Sequence, residues 1–488
     1  MGASRMRVGI VVTAVAALCA GSVATEYAAG QGGGHTDPFA VILLELAALI
    51  VIAMIGRWAA TSVGQPSVLG ELIIGVLVGN IGYWLGRPLF VLIMHLGDAL
   101  PIVREVWNSG LPVREAAAQV LTPQQLAPGM AGERLLALLT GAHSERYVNT
   151  ALALWIFSNL GVMLLLFVVG LESTVKEMLA VGARALGVAV VGVVAPFALG
   201  FVSARLLLPD APSTVALFIG ATLCATSVGI TARVFRDLRR MDTREAKVIL
   251  GAAVIDDILG LVVLAIVVGI VAGGAVQLGP VLRITALSAV FLAAVIVLGE
   301  RAVRALIPVM HALDRAHLRL LFPLALAFSA SWLASQIELA PIVGAFAAGL
   351  IVNEELFPPV EGGARSIEEM VQPVEAIFAP IFFVLMGMQV NLATFLSPQT
   401  DVVALALTVA AVAGKVAAGL PAGSDADRLT VGIGMVPRGE VGLIFASVGK
   451  SVGVIDDAVF SAVVMMVIVT TLLAPLMLKW SLARGVGR

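Results

Sequence analysis

Charge is scarce in this chain. Asp, Glu, Lys and Arg make up 13% of its 488 residues, about half the share found in a soluble domain. That scarcity excludes an ordinary water-facing globular surface. The formal net charge of −2 leaves no electrostatic basis for nucleic-acid binding. Cysteine occurs only as Cys19 and Cys224, both in apolar segments, which excludes a disulfide framework or a thiolate metal cluster. The five histidines form no His/Glu pairing at metal-ligand spacing. No nucleophile set or cofactor loop appears, so the chain is expected to be no enzyme and to carry no cofactor. Three Tyr and six Trp, mostly near the ends of apolar segments, are few for the pocket an organic solute requires.

What the chain has instead is length and apolarity. Hydrophobic residues make up 60% and mean hydropathy is +1.03, the composition of an all-α polytopic membrane protein. Apolar stretches long enough to cross a bilayer number about thirteen. They fall near 38–57, 67–85, 151–171, 183–208, 213–233, 247–272, 281–299, 318–336, 340–353, 374–391, 401–420, 428–449 and 457–478, within a membrane domain over 38–480. Arg5 and Arg7 before an apolar run that ends at Ser22-Val-Ala24 mark residues 1–25 as a signal peptide or an extra N-terminal helix.

Orientation follows from basic loops. Arg233, Arg236, Arg239, Arg240, Arg244 and Lys247 cluster after the fifth segment, Arg301, Arg304, Arg315 and Arg319 after the seventh, and Lys479, Arg484 and Arg488 at the end. The N-terminus is therefore expected outside and the C-terminus in the cytoplasm of a cell inner membrane. Residues 87–150 read as a long extracytoplasmic loop with one or two short surface helices. Glu172 and Glu338, at the ends of apolar segments, are expected to face water.

Polar residues inside the apolar segments carry the functional signal. Asp256 and Asp257 are adjacent within Val248–Val268, about 14 Å from Lys247 along a helix and thus near the middle of a hydrocarbon core about 30 Å thick. Each ionised carboxylate there costs about 3 kcal/mol on insertion scales, so a cation, a proton or a buried base must compensate it. Such residues point to transport. Adjacent helical positions diverge by about 100°, so the two carboxylates face different neighbours. Lys415 is the lone charge in the interior of its segment; it either pairs with a carboxylate of the Asp pair or snorkels past Pro421 and Gly423. Thr226-Ser-Val-Gly-Ile-Thr231 interrupts the fifth segment, and Pro437, Arg438 and Glu440 interrupt the twelfth. A broken segment in each half is the pointer to an inverted-repeat transport site. Glu71, one turn into the second segment, is either an entrance residue or an interface packing residue.

Seven blocks in order, Gly64-Gln-Pro-Ser-Val-Leu-Gly-Glu, Leu164-Leu-Leu-Phe-Val-Val-Gly-Leu-Glu, Ala225-Thr-Ser-Val-Gly-Ile-Thr, Val254-Ile-Asp-Asp-Ile-Leu-Gly-Leu, Gly344-Ala-Phe-Ala-Ala-Gly-Leu, Gly414-Lys415 and Pro437-Arg-Gly-Glu-Val-Gly-Leu, give a resemblance. Together they resemble the monovalent cation:proton antiporter-2 family, most closely its NapA-type sodium/proton antiporters. The resemblance implies an NhaA/NapA-like fold with inverted repeats and crossed discontinuous helices, in a homodimer of scaffold and core domains. It implies Asp257 as the carboxylate that binds Na⁺ and H⁺, Asp256 as the partner of Lys415, and Thr226 and Ser227 on the unwound segment. Arg438, Glu440 and Glu71 are then supports of the core. The expected partners are Na⁺, Li⁺ or K⁺, protons and the lipid bilayer, and paired Asp with Lys implies electrogenic exchange. The alternatives are a sodium-coupled solute symporter and a K⁺/H⁺ efflux antiporter.

Overall fold

The structure, a computed structural model, describes residues 38–121, 126, 131–172, 175–273, 278–315, 317–337, 339–352, 354–357, 366–393, 398–451 and 454–485. The expected signal segment 1–25 and Glu338 lie outside the described residues.

The chain divides into two units, Met1–Leu160 with Pro380–Ala393, and Gly161–Ala379 with Thr394–Arg488. In the first, α1 (Pro38–Ser62) and α2 (Ser67–Trp84) pack backbone against backbone. A Cβ on Gly70 would lie 2.0 Å from the Gly56 carbonyl oxygen, so the absence of a side chain is what lets the helices touch. The touching helices enclose Glu71, which is fully buried and accepts from Arg57 Nη2 at 2.9 Å and Nε at 3.1 Å.

Between the second and third apolar segments stand four helices, α3 (Pro88–Met94), α4 (Leu96–Ser109), α5 (Val113–Val120) and α6 (Ala131–Thr140). This departs from the loop with one or two surface helices read in the sequence. Leu96, Ala99 and Ile102, and again Leu135 and Leu139, repeat at helical spacing and are buried. The stretch therefore folds as a helical layer with its own apolar seam.

α7 (Ser144–Leu171) and α15 (Ile367–Met388) are the helices within which the division between units falls. The second unit continues with α8 (Val175–Leu207), α9 (Ser213–Thr222), α10 (Val228–Asp237), α11 (Arg244–Gly273), α12 (Leu278–Leu313), α13 (Leu318–Gln336) and α14 (Pro341–Ile351). It closes with α16 (Pro398–Ala417), α17 (Arg428–Gly434), α18 (Glu440–Ser451) and α19 (Asp457–Gly485).

Among the described residues nine helices are long and apolar enough to cross a membrane, or ten when the 48° bend within α12 is counted as one span. The thirteen segments read from hydropathy all fall on helices, but not all are single spans. Segment 213–233 is α9 plus α10, segment 428–449 is α17 plus α18, and α14 has only 11 residues. Hydropathy sums over such breaks because, Arg438 apart, the residues in them are apolar or small. Pro437, which lacks an N–H and disfavours helix at Val436, lies in the second break.

Candidate functional site

The two broken segments meet at their breaks. Ser227, extended at φ −90° and ψ 101°, donates its N–H to the Pro437 carbonyl at 2.8 Å. Thr226 Oγ1 donates to the Met435 carbonyl at 3.3 Å and Thr231 Oγ1 to the Gly434 carbonyl at 2.7 Å. Arg438 Nη1 donates to the Ala225 carbonyl, and Thr471 Oγ1 of α19 donates to the Arg438 carbonyl. In hydrocarbon an unmet carbonyl costs several kcal/mol; here the hydroxyls of the first segment satisfy carbonyls of the second, and the guanidinium of the second satisfies a carbonyl of the first. Arg438 also sets a positive charge at the C-terminal end of α9, where the helix dipole favours a cation. It is fully buried, and its Nε and Nη2 have no acceptor among the described residues. Glu440 opens α18; its side chain is outside what the structure describes.

Asp256 and Asp257 sit midway along α11, and the roughly 100° between adjacent positions sends them to different neighbours. Asp256 Oδ1 accepts from Lys415 Nζ of α16 at 2.9 Å, with both side chains at 0% exposure. The pairing displaces the snorkelling alternative. One glycine makes room for it and a second lies beside it. A Cβ on Gly414 would stand 2.7 Å from the backbone of Pro196, so α16 approaches α8 closely only because that position is bare. Gly192 of α8 leaves its side-chain position open 3.5 Å from Lys415 Nζ and 3.7 Å from Asp256 Oδ1. Asp256 Oδ2 has no hydrogen-bond donor among the described residues.

Asp257 is half-buried and lines a cleft with Leu166 of α7, Val228 at the start of α10, and Val343 and Phe346 of α14. Leu250 and Val254 complete that wall, spaced by seven and three residues from Asp257 and so on its helix face. Asp257 is thus the acid that faces the cleft at the mouth of a break, while Asp256 faces the dry side. Thr226 and Ser227 are buried at the crossing; the Thr226 hydroxyl is given to the opposite break, and Ser227 Oγ stands 2.8 Å from where a Cβ on Gly439 would be. The buried Cys224 thiol points at the Gly220 and Val193 carbonyls. Glu71, paired with Arg57, belongs to the other unit.

A second group of charges closes the far end of α10. Glu375 of α15, 2% exposed, places Oε1 2.9 Å from Arg233 Nη1 and Oε2 2.9 Å from Arg236 Nη1. Arg233 Nε stands 3.2 Å from Asp237 Oδ1, and Arg236 Nε donates to Glu172 Oε1 at 3.2 Å. Glu172 is therefore half-buried and ion-paired, a correction to its expected place in water: Arg236, on the last turn of α10, reaches it at the end of α7. Burial pushes its carboxyl up to about 7, Glu368 and Asp242 push the same way, and Arg236 pulls against them. Sequence spacing gave no sign of this group, because its members are up to 203 positions apart in the chain, from Glu172 to Glu375.

Comparison with known proteins meets this geometry. Residues 46–484 match the family described as sodium/hydrogen exchanger, transmembrane. The chain is 34% identical over 446 residues to the high-affinity Na(+)/H(+) antiporter NhaS3 of Synechocystis sp., covering 89% of this chain and 88% of that protein. It is 35% identical over 361 residues to the Na(+)/H(+)-K(+) antiporter GerN of Bacillus cereus, covering 72% of this chain and 90% of the relative. The fold is similar to that of the sodium proton antiporter MjNhaP1 from Methanocaldococcus jannaschii, with a TM-score of 0.54 at 14% identity over 91% of this chain and 98% of the other.

Proposed function

Because the chain belongs to the transmembrane sodium/hydrogen exchanger family, we propose that it exchanges Na⁺ or Li⁺ for H⁺ electrogenically, with Asp257 as the carrier carboxylate. It is a multi-pass membrane protein that exchanges a monovalent cation for protons. The observation that carries the site reading is the division of the Asp pair: Asp256 is held at 2.9 Å by Lys415 in a dry contact, while Asp257 faces a cleft beside the crossing. A cation and a proton cannot both occupy the Asp257 carboxylate, so the arrival of one expels the other, and that competition is the coupling. Freed backbone at the crossing supplies carbonyl and N–H dipoles near the same place. Arg438 supports the reading as the charge that steadies the crossing, with Glu440 two positions on in sequence and Glu71 bracing α2. Thr226 and Ser227 shape the crossing from the first break.

The same reading places the protein in a cell inner membrane as a homodimer, N-terminus outside and C-terminus in the cytoplasm, in accord with the basic residues Arg239, Arg240, Arg244 and Lys247 between α10 and the start of α11. A K⁺/H⁺ exchange is the second reading, and the similarity to a relative named Na(+)/H(+)-K(+) antiporter favours keeping it. Everted vesicles decide between them: Na⁺ and Li⁺ should dissipate an imposed proton gradient and K⁺ should not. Dissipation by K⁺ alone selects the second reading, and dissipation by none of the three sinks both.

A further inference from the structure

Glu172, Glu375, Arg233 and Arg236 take no part in the exchange step at Asp257, yet they are buried or half-buried charges in a protein that has few charges. Their place explains why. α10 has ten residues, about 15 Å of helix, and the break at 223–227 separates it from α9. With no continuous helix across the break, α10 is held by the crossing contacts of Ser227 and Thr231 at one end and by what grips its other end. That end carries both arginines, and the carboxylate of Glu375 spans them with one oxygen each at 2.9 Å. Arg236 is also tied to Glu172 at the end of α7, the helix whose Leu166 lines the Asp257 cleft. Val228, the first residue of α10, lines that cleft too, and Ser227 before it makes the crossing contact with Pro437.

We propose that Glu375 is a positioning residue of the exchange reaction, holding α10 so that Val228 and the crossing keep their place beside Asp257, and that Glu172 grades this hold with pH. The proposal rests on the reading of Asp257 as carrier. The groups that face Glu172 are Arg236 from α10, Glu368 from α15 and Asp242 from the turn before α11; Arg233, Asp237 and Glu375 complete the cluster. One oxygen of Glu172 is buried with no hydrogen-bond donor among the described residues, an arrangement that disfavours the anion. Its carboxyl, pushed by burial to about 7, is neutral below that pH and Arg236 is then answered by Glu375 alone. Above it, two carboxylates hold Arg236.

The test uses the purified full chain in proteoliposomes, with sodium-driven proton movement read against sodium concentration and pH. Glu375→Gln should weaken apparent sodium affinity at least about fivefold, the scale of coupling between linked sites, with a smaller change in maximal rate, and Glu375→Asp should recover part of the loss. Glu172→Gln should exchange normally at low pH. At saturating sodium, where competition at Asp257 is suppressed, its rate ratio between pH 8 and pH 6 should collapse to about one while that of the unaltered protein does not. The proposal is overturned if Glu375→Gln keeps the original affinity and pH profile. Should that variant fail to accumulate, Glu172→Gln decides by itself, and an unchanged pH profile overturns the proposal. Asp257→Asn separates the two levels: if it still exchanges, the carrier assignment has failed, whatever the network does.

Discussion

Between α11 and α16, Lys415 and Asp256 meet in a dry contact, and each is the other's one charged hydrogen-bond partner among the described residues. At the far end of α10, two arginines share Glu375 and divide Asp237 and Glu172 between them. The two clusters lie in the same unit and use the same chemistry, but they tolerate change differently. In the isolated pair, removing either member strands a buried charge. In the shared network, the loss of one carboxylate is partly covered by another. A pair of the first kind gives one large response when it is broken, and a network of the second kind gives graded adjustment.

The contrast can be broken from the largest effect downward. Lys415→Ala should cost about 3–5 kcal/mol, the penalty for stranding a buried partner, and removing both charges as Lys415→Met with Asp256→Leu should restore most of it. Thermal unfolding in detergent checks this; additive losses in the double variant would mean the two side chains do not depend on each other.

Glu172 comes next, and its sign can be fixed. Its folded pKa of about 7 lies above the ordinary 4.5, so the folded chain holds this proton more tightly than the unfolded one. The stabilisation it gives is complete below pH 4.5, fades as pH rises between 4.5 and 7, and is gone above that. The full change is about 3 kcal/mol. Glu172→Gln should therefore gain on the unaltered protein by up to that amount as pH goes from 5 to 8, and parallel melting curves at both pH values would contradict it.

Gly414→Ala presses a methyl against the Pro196 backbone, an overpacking of about 1–3 kcal/mol. It should also push Lys415 away from Asp256, so its transport defect should exceed that of Gly182→Ala, where the structure shows open space. Thr231→Val is the smallest effect, about 1 kcal/mol for one hydrogen bond to the Gly434 carbonyl, read in the same unfolding assay.

The legible parts of the site were those that stand out against an apolar background. Asp256, Asp257 and Lys415 are conspicuous because charge at membrane depth is expensive, and the divergence of the two carboxylates follows from helix geometry alone. Pro437 and the Thr226–Thr231 hydroxyls mark the two breaks for the same local reason. What the sequence does not display is who answers whom across the fold. Thr226 and Thr231 serve carbonyls of the other broken segment, Gly414 lets the helix of Lys415 approach its neighbour, and Glu172 is drawn out of water by Arg236. Helices α3 to α6 leave little mark in the sequence because their short amphipathic faces bury against one another and lack the long apolar runs that hydropathy detects.

The central claim is the division of labour between neighbouring carboxylates, and the direct test compares Asp257→Asn with Asp256→Asn in the same vesicles. The measurement is sodium-driven proton movement under an imposed sodium gradient, with protein abundance matched. The account predicts that Asp257→Asn abolishes exchange, whereas Asp256→Asn retains exchange with altered charge movement. Full activity in Asp257→Asn, or the same complete loss in both, would contradict it.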